Sequence, residues 1–431
     1  MKKIISTTDK EFESQFSELL NIDRNNSEDV KNVVRNIVYD VKTKGDSSVI
    51  NYTNKFDKNS LSTNEILVSE GEIHSLTKDL SPELIKAIDL AYSRIESYHK
   101  KQIPDELFYE DEIGTKLGYI WNPINSVGIY VPGGTASYPS TVLMNAIPAK
   151  VAGVQDITMV SPSTESKINP SILYAAKKVG INRIYRIGGA QAISALAFGT
   201  ETIKPVDKIV GPGNIYVSEA KRQVFGDVGI DMFAGPSEIV IIADNDNDPG
   251  IIASDLIAQA EHDISAQSIL ITNNKSLAEK VLNDIKNQIS SLPRKDIASQ
   301  SWNNNGAIII TSGIEESITL ANRLSPEHLE LSVENARTYL KKIKNAGAVF
   351  IGKNTPEAVG DYIAGPSHVL PTSRSARFSS GLSVNDFIKK TSVIECSEES
   401  LNEIGRSAVE IALNEGLDGH ARSIEYRLSK K

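Results

Sequence analysis

The spacing of hydrophobic positions changes along the chain, and the change divides it. Near the start, Phe12, Phe16, Leu19 and Leu20 fall on one helical stripe behind Thr8 and Glu11, which have capping-box spacing. Residues 1–25 therefore predict a short helical arm, followed by a charged, mostly helical layer to about Gln102. From Val127 the texture becomes short apolar runs alternating with helical periods. Runs at 127–131, 157–160, 183–187 and 208–210 predict strands, with helices near 141–151, 171–179 and 191–197 between them. A second series keeps the cadence, with strands at 239–243, 268–271, 307–311 and 348–351 and helices near 251–263, 276–289 and 315–324. Ile129 and Val240 are separated by the same interval as Ile157 and Ser268, which suggests two copies of one parallel α/β unit without residue identity to prove it.

The pattern predicts an α/β protein of two Rossmann-like α/β domains with parallel-rich sheets around a cleft, plus small helical N- and C-terminal arms. Residues 26–126 with 236–375 form the first domain, 127–235 an inserted second one, and 376–431 the C-terminal arm. In that arm Ser400 and Glu403 have capping-box spacing, and Leu401, Ile404, Ala408, Ile411 and Ala412 mark one apolar face. Gly416 stops this helix, which leaves His420 on a loop or tail.

Composition narrows the function classes. The 431 residues are 40% hydrophobic, with a net charge of −9 from 46 basic and 55 acidic side chains. A mildly acidic chain weighs against nucleic acid as a partner, because phosphate surfaces need clustered Lys and Arg. The single cysteine, Cys396, excludes an intrachain disulfide and every multi-cysteine zinc site, so a metal must rest on His, Asp, Glu or weaker oxygen donors. The first residues contain no apolar core of signal-peptide length. The longest uncharged run, 117–149, carries Pro123, Pro132, Gly133, Gly134 and Pro139, which a lipid-exposed helix could not easily hold. A cytoplasmic protein with no membrane contact is expected.

Four of the six histidines lie after residue 260, each among small or acidic residues. Asp255, Gln259 and His262 share one helical face, which can offer a metal an imidazole and oxygens, although such a face is more often a solvated polar pair. Glu327-His328, at a helix-to-strand junction behind Pro326, can act as a proton-carrying pair or simply close a turn. Gly360-Asp361-Tyr362 and Gly365-Pro366-Ser367-His368 suggest a backbone brought close to a ligand. Glu415 and His420 complete the set, and together these segments supply the donors of a mixed nitrogen–oxygen zinc site. A second constellation is glycine-rich. Tyr130-Val131-Pro132-Gly133-Gly134, Gly188-Gly189-Ala190-Gln191 and Gly211-Pro212-Gly213-Asn214 each follow a predicted strand, where open α/β sheets bind ligands. No G-x-G-x-x-G occurs, so a nucleotide site and plain turns both fit.

The run Ile230-Asp231-Met232-Phe233-Ala234-Gly235-Pro236-Ser237-Glu238, through Ser254-Asp255-Leu256 to Gln259-Ala260-Glu261-His262, resembles the signature of the histidinol dehydrogenase family. Ser325-Pro326-Glu327-His328, Gly360-Asp361-Tyr362, Gly365-Pro366-Ser367-His368 and Glu415-Gly416-Leu417 with His420 follow in the family's order. Gly419 departs from the alanine frequent there, and the first 110 residues carry no motif. The resemblance implies an NAD-dependent homodimer with one Zn²⁺ per subunit, which oxidises L-histidinol through L-histidinal to L-histidine. It implies zinc ligands Gln259, His262, Asp361 and His420, the last from the partner subunit through an exchanged C-terminal arm. It also implies His328 as general base and Glu327 as the group that activates water. The resemblance further implies substrate contacts at Ser237, Gln259, His262, His328, Asp361, His368, Glu415 and His420, and NAD contacts at Tyr130, Gln191 and Asn214. From the residues alone a carboxylate would rank ahead of Gln259, since an amide oxygen is a weaker donor. A zinc-dependent hydrolase of a small polar substrate is the enzymic alternative, and a two-domain solute-binding protein the non-enzymic one.

Overall fold

The computed structural model describes residues 3–20, 28–57, 59–133, 138–163, 167–181, 183–233 and 235–429; Gly134 and Ala234 of the motifs above lie outside the described residues. In chain order its strands are β1 (Ile4–Ser6), β2 (Leu107–Glu110), β3 (Lys116–Pro123), β4 (Ser126–Tyr130), β5 (Asp156–Val160), β6 (Arg183–Tyr185), β7 (Lys208–Val210), β8 (Gly229–Ile230), β9 (Glu238–Ala243), β10 (Gln267–Thr272), β11 (Ala307–Ile310), β12 (His328–Ser332), β13 (Ala348–Ile351) and β14 (Ile388–Glu395). They form a five-stranded sheet in the order β6-β5-β4-β7-β8, a six-stranded sheet β1-β11-β10-β9-β12-β13, and a three-stranded sheet β14-β3-β2. The first two are parallel throughout. Leaving β1 aside, they share one topology. Each starts with a central strand, grows outward twice on one side and twice on the other. The equal interval between Ile129–Val240 and Ile157–Ser268 thus corresponds to strands in equivalent places.

Both faces of each parallel sheet are covered, which explains the near-continuous apolar strands. On β9, Val240 and Ile242 enter one core, and Ile239 and Ile241 enter the opposite one. The uncharged run 117–149 contributes β3, β4 and the helix Pro139–Ala152. Among the described residues, no helix is long and apolar enough to cross a membrane.

The N-terminal region is more than the expected helical arm. Ile4 and Ile5 pair with Ile308 and Ile309 as an edge strand, and Phe12, Phe16 and Leu19 join the core that holds Val240. A strand this short has no detectable period, so the pattern showed the helix alone. The helical layer also sits differently from the expected grouping of 26–126 with 236–375. Val34, Ile37 and Val41 of helix Glu28–Lys44 pack with Ile193, Leu196 and Val217 on one face of the five-stranded sheet. Ile88, Ala91 and Ile95 of helix Pro82–Lys100 pack with Val142 and Ile147 on its other face.

The C-terminal region is not wholly helical, because β14 pairs antiparallel with β3 along its length. The following helix, Glu398–Asn414, is capped by Ser397, whose hydroxyl accepts the Ser400 N–H at 3.1 Å, so Ser400 is not the cap. Gly416, at φ +74°, ends that helix as expected, because the left-handed turn strains any other residue. His420 then lies in the first turn of a further helix, Asp418–Leu428, rather than on a loop or tail.

Candidate active site

The chain leaves the C-terminal end of β8 and next enters β9 at its N-terminal end, so it joins the C-terminal edge of the five-stranded sheet to the N-terminal edge of the six-stranded one. The two constellations read from the sequence lie at these two edges. On the six-stranded side, Glu327 and His328 stand at the entry to β12, beside Glu238 at the entry to β9. Ser325 adopts a left-handed conformation (φ 51°) at the end of helix Ile314–Leu324, and the chain turns there into the strand.

The His328 imidazole is 3% exposed, and its Nδ1 lies 3.0 Å from the Glu238 carbonyl oxygen. A carbonyl only accepts, so Nδ1 carries the proton and Nε2 holds the lone pair. That Nε2 is buried and unpartnered, with Asp361 Oδ1 3.8 Å away. Glu327 accepts the Glu238 N–H through Oε2 at 3.0 Å, and the same oxygen is 3.7 Å from His328 Nδ1. Burial lowers the His328 pKa, which keeps the ring neutral and able to accept a proton. Burial, with the charges of Glu238, Asp361 and Glu357 added, pushes the Glu327 carboxyl well above the usual range.

Three further acids enter this cluster that sequence reasoning did not single out as site residues. The Glu238 carboxylate accepts the Ser373 N–H at 3.1 Å. Glu330 accepts the Glu357 N–H at 2.7 Å. Glu357 Oε1 lies 3.7 Å from His328 Nδ1, and Asp361 follows it one helical turn on. A signal existed for two of them: Glu238 and Glu330 are charges inside apolar strand runs whose neighbours are buried. Glu357 has only the i, i+4 spacing to Asp361.

Gln259 is fully buried near the end of helix Pro249–Ala260, and neither its amide oxygen nor its nitrogen has a partner. His262 lies just past that helix. It is exposed in the single chain, yet enough protein surrounds the ring to lower its pKa, with His328 and Arg294 adding to the effect. Half-buried His368 has Nδ1 2.9 Å from the Asp361 carbonyl oxygen, and Ser237 is half-buried before β9. Donor atoms of His328, Glu357 and Asp361 come within 4.8 Å of one another, a possible metal site that shares Asp361 with the expected set. Buried carboxyls this close cannot all ionise unaided, a chemistry that suits a divalent cation, and the helix that carries the orphaned Gln259 amide packs against helix Glu357–Tyr362. Glu415 and His420 are not brought to this cluster. Both are exposed, on a helix pair whose buried contacts (Val409, Ala412 and Ala421) are its own.

At the other edge, Tyr130 ends β4, is buried, and accepts the Gly189 N–H at 3.1 Å. Gln191 is 1% exposed with both amide atoms unpartnered. Asn214 is exposed and caps helix Ile215–Val224, accepting the Tyr216 and Val217 N–H groups at 3.1 Å. These loops follow β4, β6 and β7, and β4 and β7 flank the point where the strand order reverses, the usual ligand crevice of such sheets.

A family sequence model described as histidinol dehydrogenase matches residues 20–428. The chain belongs to the histidinol dehydrogenase family. It is 52% identical over 429 residues to the histidinol dehydrogenase of Brucella abortus (strain 2308), covering 100% of both chains. With that of Rhizobium meliloti (strain 1021) it is 51% identical over 421 residues, covering 98% of this chain and 97% of the relative. Its structure is similar to the crystal structure of histidinol dehydrogenase from Elizabethkingia anophelis, with TM-score 0.94 and 41% identity over 99% of this chain and 98% of that one. The protein is therefore an oxidoreductase of histidine biosynthesis acting on histidinol, and the hydrolase and solute-binding alternatives fall away.

The acids make stability depend on pH in a histidinol dehydrogenase stripped of metal. Burial, with neighbouring carboxylates adding, raises Glu330 to about 8 and Glu357 and Asp361 to about 7. The folded chain then holds protons that the unfolded chain has released, so stability falls as pH rises through 7 to 8. His262 and His368, each lowered to about 4, oppose this only below about 6.5, where the unfolded imidazoles charge. Chelator-treated protein should melt about 5 °C or more lower at about pH 8.5 than at about pH 6.5 by calorimetry. An unchanged or higher melting temperature at the alkaline value would contradict this reading of the cluster.

Proposed function

We propose that this chain, a cytoplasmic homodimer, oxidises L-histidinol through L-histidinal to L-histidine at the cluster around His328, using two NAD. The observation that carries the reading is the His328 ring itself, tied at Nδ1 to a backbone carbonyl and bare at Nε2. Gln259, His262 and Asp361, with His420 of a second copy, would hold one Zn²⁺. The unpartnered Gln259 amide and the crowded carboxyls support that set. Zinc there would grip the substrate's imidazole and amino nitrogens and so orient it. NAD at the loops carrying Tyr130, Gln191 and Asn214 would accept a hydride in each oxidation.

The chain's own groups move the protons. In the first oxidation His328 Nε2 takes the hydroxyl proton from oxygen as hydride leaves the carbon that bears that oxygen. An aldehyde cannot lose a second hydride usefully until it has gained an oxygen. Once ionised, Glu327 is a stronger base for its raised pKa, and it takes a proton from water as the water oxygen bonds to the aldehyde carbon. His328, having released its first proton, then accepts one from the hydrate while the second hydride leaves. Ser237 and His368, with Glu415 of a second copy, would complete the substrate's surroundings. The apolar Leu107, Tyr109 and Ile394, exposed on one face of the three-stranded sheet, support a second copy as the cover of that face.

NADH absorbance on adding histidinol and NAD tests the whole reading. Activity should fall on chelation and return with zinc. Zinc-independent turnover would remove the metal from the scheme. Glu327→Gln separates the two half-reactions. It should slow oxidation of supplied histidinal by about 10²-fold or more and disturb histidinol oxidation far less. Equal slowing of both steps would contradict water activation by Glu327.

A further inference from the structure

Helix Ile215–Val224 turns Lys221 inward, where it meets Asp231 just after β8. These two side chains are 2% and 1% exposed, so the ion pair is shielded from water. Its remaining contacts converge on one peptide. Lys221 Nζ also donates to the Gly211 carbonyl at 3.0 Å, and Asp231 Oδ2 accepts the Gly211 N–H at 2.8 Å. Gly211 has φ +111°, and a Cβ there would come within 2.1 Å of the Tyr130 carbonyl oxygen, so its backbone is seated against the end of β4. Asp231 Oδ1 also accepts the Met232 N–H at 2.7 Å, at the start of the segment leading to Ser237 and Glu238.

We propose that the Lys221–Asp231 pair is a positioning clamp for the cofactor loop. It fixes the Gly211-Pro212-Gly213-Asn214 turn against Tyr130 and against the segment that enters the catalytic cluster. The inference rests on NAD occupying the strand-end loops. Stability alone does not call for the pair, because apolar residues of similar size often replace a buried ion pair without loss, whereas removing one partner strands a charge. An ion pair adds direction, since its hydrogen bonds specify where the Gly211 peptide sits.

The test compares wild type with the double variant K221M/D231L, which refills the space while releasing Gly211, and with N214A as a control for the loop. Melting, zinc content and steady-state constants are measured for each. The double variant should melt cooperatively and retain zinc. Its KM for NAD should rise about tenfold or more, by more than kcat falls, as expected for losing hydrogen bonds that hold the loop. K221R, which keeps the charge and the donors, should restore part of the NAD affinity. If the double variant does not melt cooperatively, D231N is read by the same criterion. A folded variant whose KM for NAD stays within about twofold of wild type, while N214A raises it, overturns the clamp but not the NAD site. An unchanged KM in N214A as well overturns the placement of NAD on this loop, and the clamp with it.

Discussion

The His328→Ala enzyme is expected to oxidise histidinol about 10²–10⁴-fold more slowly than wild type while still holding its metal. Several features concentrate the loss in chemistry. Nδ1 is committed to the Glu238 carbonyl, so a single nitrogen, Nε2, is left to accept a proton. Burial lowers the ring's pKa, so it stays neutral near pH 7 and its lone pair is free. The ring is also held in place, with Phe350 6.0 Å away, centroid to centroid. Alanine removes packing as well as the base, so a second variant is needed. His328→Gln retains a donor for the Glu238 carbonyl but has no nitrogen that titrates near neutrality. It should be comparably slow, whereas a purely structural role predicts recovery. Steady-state kcat with zinc analysis of each variant decides the matter, and near-normal turnover in His328→Gln would remove the base.

The way these groups come together shows what a sequence can and cannot display. The apolar run 239–242 is legible because a strand covered on both faces needs apolar residues at every position. The amphipathic stripe of Val34, Ile37 and Val41 is equally legible as a helix, but a stripe specifies an apolar partner without naming it. The sheet that the helical layer covers is therefore not legible in its stripe. β1 and β14 escaped for a different reason. Three residues are too few to show a period, and β14 is mostly exposed, so no buried face marks it. In the site, Glu327 and His328 were readable as a pair because they are adjacent. Glu238 and Glu330 were not, because their meaning comes from the pairing of β9 with β12, a long-range register. Gln259 ranks low as a ligand by donor strength, and the family resemblance picked it out. The finding that neither of its buried amide atoms has a partner gives that choice a physical reason.

Mixing inactive His328→Ala and His420→Ala subunits is expected to restore about a quarter of wild-type activity. Each variant alone should be nearly dead, the first for want of a base and the second for want of a zinc ligand. His420 is exposed on helix Asp418–Leu428, and Glu415 is exposed at the end of the helix before it. The pair buries little more than Val409, Ala412 and Ala421 against itself, while Ile411, Leu413 and Tyr426 meet solvent. On the proposed ligand set, a helix pair that displays apolar side chains beside His420 would dock on a second copy, whose acidic cluster would gain His420 as its fourth ligand. If His420 crosses between subunits, the two defects of a heterodimer fall in the same site, and the other site is intact. Random exchange makes about half of the dimers mixed, each with one working site of two, which gives the quarter. If His420 instead served its own chain, each site of the heterodimer would carry one lesion and nothing would return. Absence of recovery after verified subunit exchange would therefore place His420 in its own subunit's site, or outside the metal site altogether.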